Sequence, residues 1–315
     1  MAPLLRREPE EVWDKAFDKK QIPESLYRFY IATDYFSLDK CPLFLADDRK
    51  MLFAHLERSA NLIRLSFEEY HELIDLMKDN YSHFYFPGRE KEYGVDHKYQ
   101  ERQFDRNLQI FIINMYSILD SVAETIAVLT GWGKVGRAGF SQLVVEVRDN
   151  ESSSENIVAG IEESSIDRIK YIIRDIVIVD KGNEKQWYEI FKLYRNKSSH
   201  FRTLSTFCFH DKKGEFYRFL PRQWPYYFQQ DIKETKRYPG EEKEPSDSFE
   251  KLLMKQDIFE YCEGLHNKLY RIADEIFQVL LELYKIKKET KCNIYPDLKK
   301  QSKAIVKKYD FEYFS

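Results

Sequence analysis

Between Ala46 and Asn80 neither proline nor glycine interrupts the chain, and Leu52, Leu56, Leu62, Ile63, Phe67, Tyr70, Leu73, Ile74 and Met77 return at three- and four-residue steps. That spacing matches the period of an α-helix, so it predicts one long amphipathic helix with these side chains turned inward. Pro87, Gly88 and Gly94 break the pattern. A second long helix is predicted from His97 to Thr130, with Gly131 as its C-cap, because glycine adopts the left-handed conformation that ends helices at little steric cost. Shorter helices are expected at about Gly139 to Val147 and Ser165 to Val179, on either side of the polar stretch Asn150 to Glu155. Another should run from Asn183 to His200 and carry Trp187, Ile190, Phe191 and Tyr194 on one face.

After His200 the pattern changes. Thr203 to Leu220 is rich in Thr, Phe and Tyr around Asp211, Lys212, Lys213 and Gly214, which predicts a β-hairpin with arms Ser205 to His210 and Glu215 to Leu220. Pro221, Pro225, Pro239 and Pro245 mark a polar loop, and a last long helix is expected from Ser248 to Lys288, with Phe249, Leu252, Phe259, Leu265, Leu269 and Ile272 among its inward residues. The expected fold is therefore mainly α: a multi-helix bundle with one short β-hairpin after the helix that ends at His200. Its organisation reads as a helical N-terminal region over 1–95 with one long helix, a helical domain over 96–290 containing the hairpin 205–220 and the loop 221–247, and a basic tail over 291–315.

Composition agrees with long helices. Of 315 residues only 11 are Gly and 10 are Pro, while aromatics reach 16% and hydrophobic residues 43%, enough for a substantial core. No wholly apolar run approaches the roughly 20 residues of a membrane span. Leu4 and Leu5 before Arg6 and Arg7 are too short a run for a secretory signal. A soluble, cytoplasmic protein is expected, with Cys41, Cys208, Cys262 and Cys292 as reduced thiols, since none stands at zinc-ligand spacing. No metal or cofactor site is indicated. The net charge of -3 does not announce a nucleic-acid binder, so any RNA affinity must come from a local patch. Locally the balance differs: from Lys185 to Arg237 there are twelve Lys and Arg against five Asp and Glu. Lys197, Arg202, Lys212, Lys213 and Arg218 are the candidates there for holding a nucleic-acid backbone. Interleaved aromatics such as Phe207, Phe216 and Trp224 either stack on unpaired bases or pack the hairpin onto helices.

One short motif carries chemistry: Arg195-Asn196-Lys197-Ser198-Ser199-His200. Arg49 with His55 and Arg64 with His71 have comparable spacing, but both fall mid-helix on what reads as a solvated face. In the third pair Asn196 and His200 are one helical turn apart and share a face. Arg195 and His200 are about 140° apart on an ideal helix, so bringing them together requires a swing of the long Arg side chain or fraying of the helix end. A helix C-terminus carries partial negative charge, which favours the protonated imidazole and raises its pKa.

Arg195, the polar Asn196 beside it and His200, at a helix end in a helical chain, resemble the Arg-x-x-x-x-His signature of the HEPN superfamily. That resemblance implies a helical bundle and a metal-independent endoribonuclease. In it Arg195 binds the scissile phosphate, Asn196 orients the phosphate or the imidazole, and His200 is acid and base toward the ribose 2'-hydroxyl. It further implies single-stranded RNA as substrate, a homodimer whose two motifs form one composite site, and a defence or toxin setting with an antitoxin or regulatory partner. In the subgroup paired with nucleotidyltransferase antitoxins a Tyr stands two residues after the His; this chain has Arg202. The family also draws an acidic residue from a neighbouring helix. The stripe Asn114, Ser117, Asp120, Ser121 and Glu124 offers Asp120 first and Glu124 second, and the same stripe reads equally as a hydrogen-bonding seam between helices. The alternative to the enzyme is a catalytically inactive helical RNA-binding or protein-interaction scaffold.

Overall fold

A computed structural model describes residues 10–34, 46–82, 97–132, 139–149, 161–178, 187–200, 207–210, 216–220 and 257–290. Among these, eight α-helices follow in order: α1 Glu10–Asp18, α2 Glu24–Asp34, α3 Ala46–Ser82, α4 His97–Thr130, α5 Phe140–Asp149, α6 Ile161–Ile173, α7 Trp187–His200 and α8 Ile258–Thr290. The fold is mainly α. A π-helical turn, Arg174–Ile178, continues α6. Two four-residue strands, β1 Phe207–His210 and β2 Phe216–Phe219, pair antiparallel with Phe207 opposite Phe219 and Cys208 opposite Arg218. The expected loop 221–247, the start of the last helix at 248–256 and the tail 291–315 lie outside the described residues.

Helix ends follow from local chemistry. Gly131 takes φ 73° and its amide bonds the Ala127 carbonyl at 3.0 Å, the left-handed stop expected of glycine just past Thr130. α1 stops differently. Lys20 takes φ 56°, and paired bonds from Lys20 N to Phe17 O at 2.8 Å and from Gln21 N to Ala16 O at 2.9 Å close the turn without a glycine. At the start of α8, Asp257 Oδ1 accepts the Phe259 amide at 2.9 Å and so satisfies one of the helix's free N–H groups.

Contacts divide the chain into two compact units that interleave along the sequence. The first comprises 1–70, 114–188 and 267–315, and its described core is built around buried tryptophans. Trp13 stacks on Tyr30 at 4.0 Å and donates to Asn61 Oδ1 at 3.1 Å. The Trp132 indole donates to Glu146 at 2.7 Å, and that of Trp187 to the Ile176 carbonyl in the π-turn at 3.1 Å. Each buried N–H thus has an acceptor, without which its burial would cost free energy. α4 is long and apolar enough to cross a membrane by length and composition, and 72% of its apolar window is buried inside the protein. That window serves as a core helix.

The second unit comprises 71–113 and 189–266. Phe104, Leu108 and Phe111 of α4 are fully buried there, and Phe104 meets Phe259 edge-on at 6.2 Å. A chain of amides joins α3 to α4: Asn107 donates to Asn80 at 3.0 Å, and Asn80 donates to Gln100 at 2.7 Å. Leu62, expected inward, is instead 41% exposed, because its position falls beyond the edge of the stripe defined by Leu56, Ile63 and Phe67.

Candidate active site

The inner face of α7 in the second unit is set by Phe191, Tyr194 and Ser198, spaced three and four residues apart and all buried. Tyr194 meets the Tyr261 ring edge-on at 6.1 Å, and burial pushes its phenol far above the ordinary range. The Ser198 carbonyl accepts a 2.6 Å bond from the Gln109 side chain of α4. Asn196 is exposed and Arg195, one turn after Phe191, is half-buried, and Arg195 Nη1 donates to Asn196 Oδ1 at 3.2 Å. His200 is the last residue of α7. The side chains of Lys197 and His200, and residues Arg202, Lys212 and Lys213, lie outside the described part. α7 remains helical through His200, so of the two ways to bring Arg195 and His200 together, fraying of the helix end is not seen.

The other Arg and His pairs have different surroundings. Arg64, expected on a solvated face, is 1% exposed: it lies 5.4 Å from the centroid of the Trp13 ring and pairs with Glu68 at 2.6 Å. His71 is exposed, its ring 6.0 Å from that of His266. The side chains of Arg49 and His55 lie outside the described part.

Asp120 belongs to the first unit, whereas Arg195, Asn196 and His200 belong to the second. Its Oδ1 accepts the Phe140 amide at 3.2 Å, which caps α5 from a different helix. Two members of its stripe form a seam between α3 and α4: Ser117 shares a 3.0 Å hydrogen bond with Ser66, and Asn114 donates to Glu69. Asp120→Ala should therefore cost about 1 kcal/mol in urea unfolding, the usual value of a helix cap, while Asp120→Asn keeps an acceptor and should stay within about 0.5 kcal/mol of wild type. An equal loss from both would contradict the capping role.

Arg218 requires a correction. Expected to face RNA, it is 1% exposed on β2. Its guanidinium lies 4.2 Å from the Phe104 ring centroid and reaches Glu101 at 3.4 Å, and its backbone amide donates to Asp257 at 2.9 Å. A buried guanidinium is tolerable only with such partners. Beside it stands a residue the sequence reading missed. The Asp105 carboxyl is pushed up to about 6, chiefly by burial and further by Glu101, with Arg218 opposing. Glu101, Asp105 and Gln109 stand four residues apart along α4, so one stripe serves both the Arg218 cluster and the end of α7.

A groove of about 880 Å³ in the first unit lies between α6 and α8. Glu163, Asp167 and Glu275 line it against one cation, Arg168, which pairs with Glu282. Such a surface repels a polyanion. Among the described residues no three His, Cys, Asp or Glu side chains are grouped to hold a metal ion. No protein-family model, curated protein or solved structure matches this chain.

Proposed function

We propose that the chain is a metal-independent endoribonuclease of HEPN type that cleaves single-stranded RNA at the end of α7. The observation carrying this reading is the Arg195 to Asn196 side-chain bond, 3.2 Å, between a half-buried and an exposed position of a helix that closes at His200. A guanidinium grips two phosphate oxygens and neutralises charge that grows in the transition state. Asn196, bonded to Arg195, orients the phosphate or the imidazole. His200, the last residue of α7, serves as acid and base toward the ribose 2'-hydroxyl. In the reaction His200 removes the proton of the ribose 2'-hydroxyl, the oxygen attacks the adjacent phosphorus, and the bond to the 5'-oxygen breaks as that oxygen is protonated. The products are a 2',3'-cyclic phosphate and a 5'-hydroxyl.

β1 and β2 would be the arms of a hairpin whose turn carries Lys212 and Lys213. These, with Lys197 and Arg202, would track the RNA backbone. No cofactor takes part. The setting proposed is cytoplasmic, in a defence or toxin system under an antitoxin or other regulatory protein.

An intact helix keeps Arg195 and His200 about 140° apart. The reading therefore includes a homodimer, in which a second copy completes each site. Sedimentation at micromolar concentration should give a dimer; a monomer there would leave each site half built. The enzymatic claim itself is tested by following full-length single-stranded RNA with the purified chain in EDTA. RNA should be consumed at an undiminished rate, and loss of activity on chelation would overturn the reading in favour of metal-dependent cleavage.

A further inference from the structure

We propose that Gln109 is a positioning residue for this site: its side-chain amide latches the last turn of α7 and so sets where Asn196 and His200 stand. The activity part of this inference rests on the ribonuclease reading above. The last four carbonyls of any α-helix lack intrahelical partners. α7 ends at His200, so the Ser198 carbonyl is one of these, and Ser198 is 5% exposed. A carbonyl at so buried a position needs a protein donor, and the bond from Gln109 Nε2 at 2.6 Å supplies it.

The latch sits between the two residues it controls. Ser198 stands two positions after Asn196 and two before His200, so a tether on its carbonyl opposes unwinding of the turn that carries both. The donor is itself held. Four and eight residues earlier on α4 stand Asp105 and Glu101, the latter in contact with buried Arg218, and Leu108 beside Gln109 is fully buried. Gln109 thus reaches from a packed helix, and Ser198 and Gln109 belong to the same compact unit. A donor placed within a few tenths of an ångström and backed by packed neighbours is what a site needs to keep its geometry.

Gln109→Met keeps the length and shape of the side chain and removes the donor; Gln109→Lys restores a donor, which the negative helix end favours. Hydrogen exchange of the Ser198 to His200 amides and RNA cleavage kinetics are measured on wild type and both variants of the full chain. Exchange should speed up about 10-fold in Gln109→Met, with kcat about 10-fold lower and KM near wild type, as expected for loss of one well-placed hydrogen bond. Gln109→Lys should return both to within about 3-fold. Wild-type exchange in Gln109→Met, faster exchange with unchanged kcat, or a Lys variant as impaired as the Met variant would each overturn the proposal. If wild type cleaves no RNA, the ribonuclease reading falls, and exchange alone decides the latch.

Discussion

Replacing His200 by alanine should slow RNA cleavage by at least ~10²-fold, the usual scale of a general acid and base, while leaving the fold intact. The position closes α7, two residues after Ser198, the last of the buried side chains Phe191, Tyr194 and Ser198 that set its inner face. The rate therefore changes through proton transfer. Arg195→Lys should fail nearly as badly despite keeping its charge, because an ammonium cannot form the two parallel bonds of a guanidinium to phosphate. Circular dichroism and urea midpoints of both variants should match wild type. The other pairs provide the control. His71→Ala, at an exposed position, and His55→Ala should cleave at the wild-type rate; inhibition equal to that of His200→Ala would place the chemistry elsewhere.

The largest effect on stability should come from Arg218→Ala. It removes a buried cation and leaves the half-buried Asp105 carboxyl beside the exposed Glu101, a change that should cost about 1–3 kcal/mol. The loss should depend on pH through Asp105. Its carboxyl titrates near 6 in the folded protein against an ordinary 3.8, so the folded state binds this proton more tightly than the unfolded state. The contribution of Asp105 to stability consequently falls as pH rises from about 4 through about 6, and the penalty is complete above that. Without Arg218, whose charge lowers the Asp105 pKa, that penalty grows. Arg218→Ala should therefore lose more at pH 8 than at pH 5 in urea unfolding, and adding Asp105→Asn should recover part of the loss at pH 8 alone. Equal losses at both pH values would contradict the arrangement.

Long-range periodicity made the helices legible. Thirty-odd residues of uninterrupted three- and four-residue apolar spacing define a face, and a glycine after Thr130 can stop a helix where a β-carbon would be strained. α3, α4 and α8 were readable for that reason. α1 and α2 were not, because 9 and 11 residues on either side of Pro23 give too few repeats of the helical period to stand above chance. At the site the limits are of another kind. A stripe of small polar residues looks the same whether it lines a cleft or zips two helices together, and only the Ser66 and Glu69 partners on α3 decide for the seam. A lysine or arginine on a short strand reads as solvated by default. Arg218 is buried because Glu101 reaches it from 117 positions away in the chain, a pairing that local pattern cannot reveal. Gln109 gave no signal either, since its partner is a backbone carbonyl, which has no residue type.

End-group analysis of single-stranded RNA incubated with the full chain in EDTA, run beside His200→Ala, bears most directly on the claim that the end of α7 is an RNA-cleaving centre. The account predicts new 2',3'-cyclic phosphate and 5'-hydroxyl ends with wild type and almost none with the variant. Intact RNA with wild type, 5'-phosphate ends, or cleavage that persists in His200→Ala would contradict it.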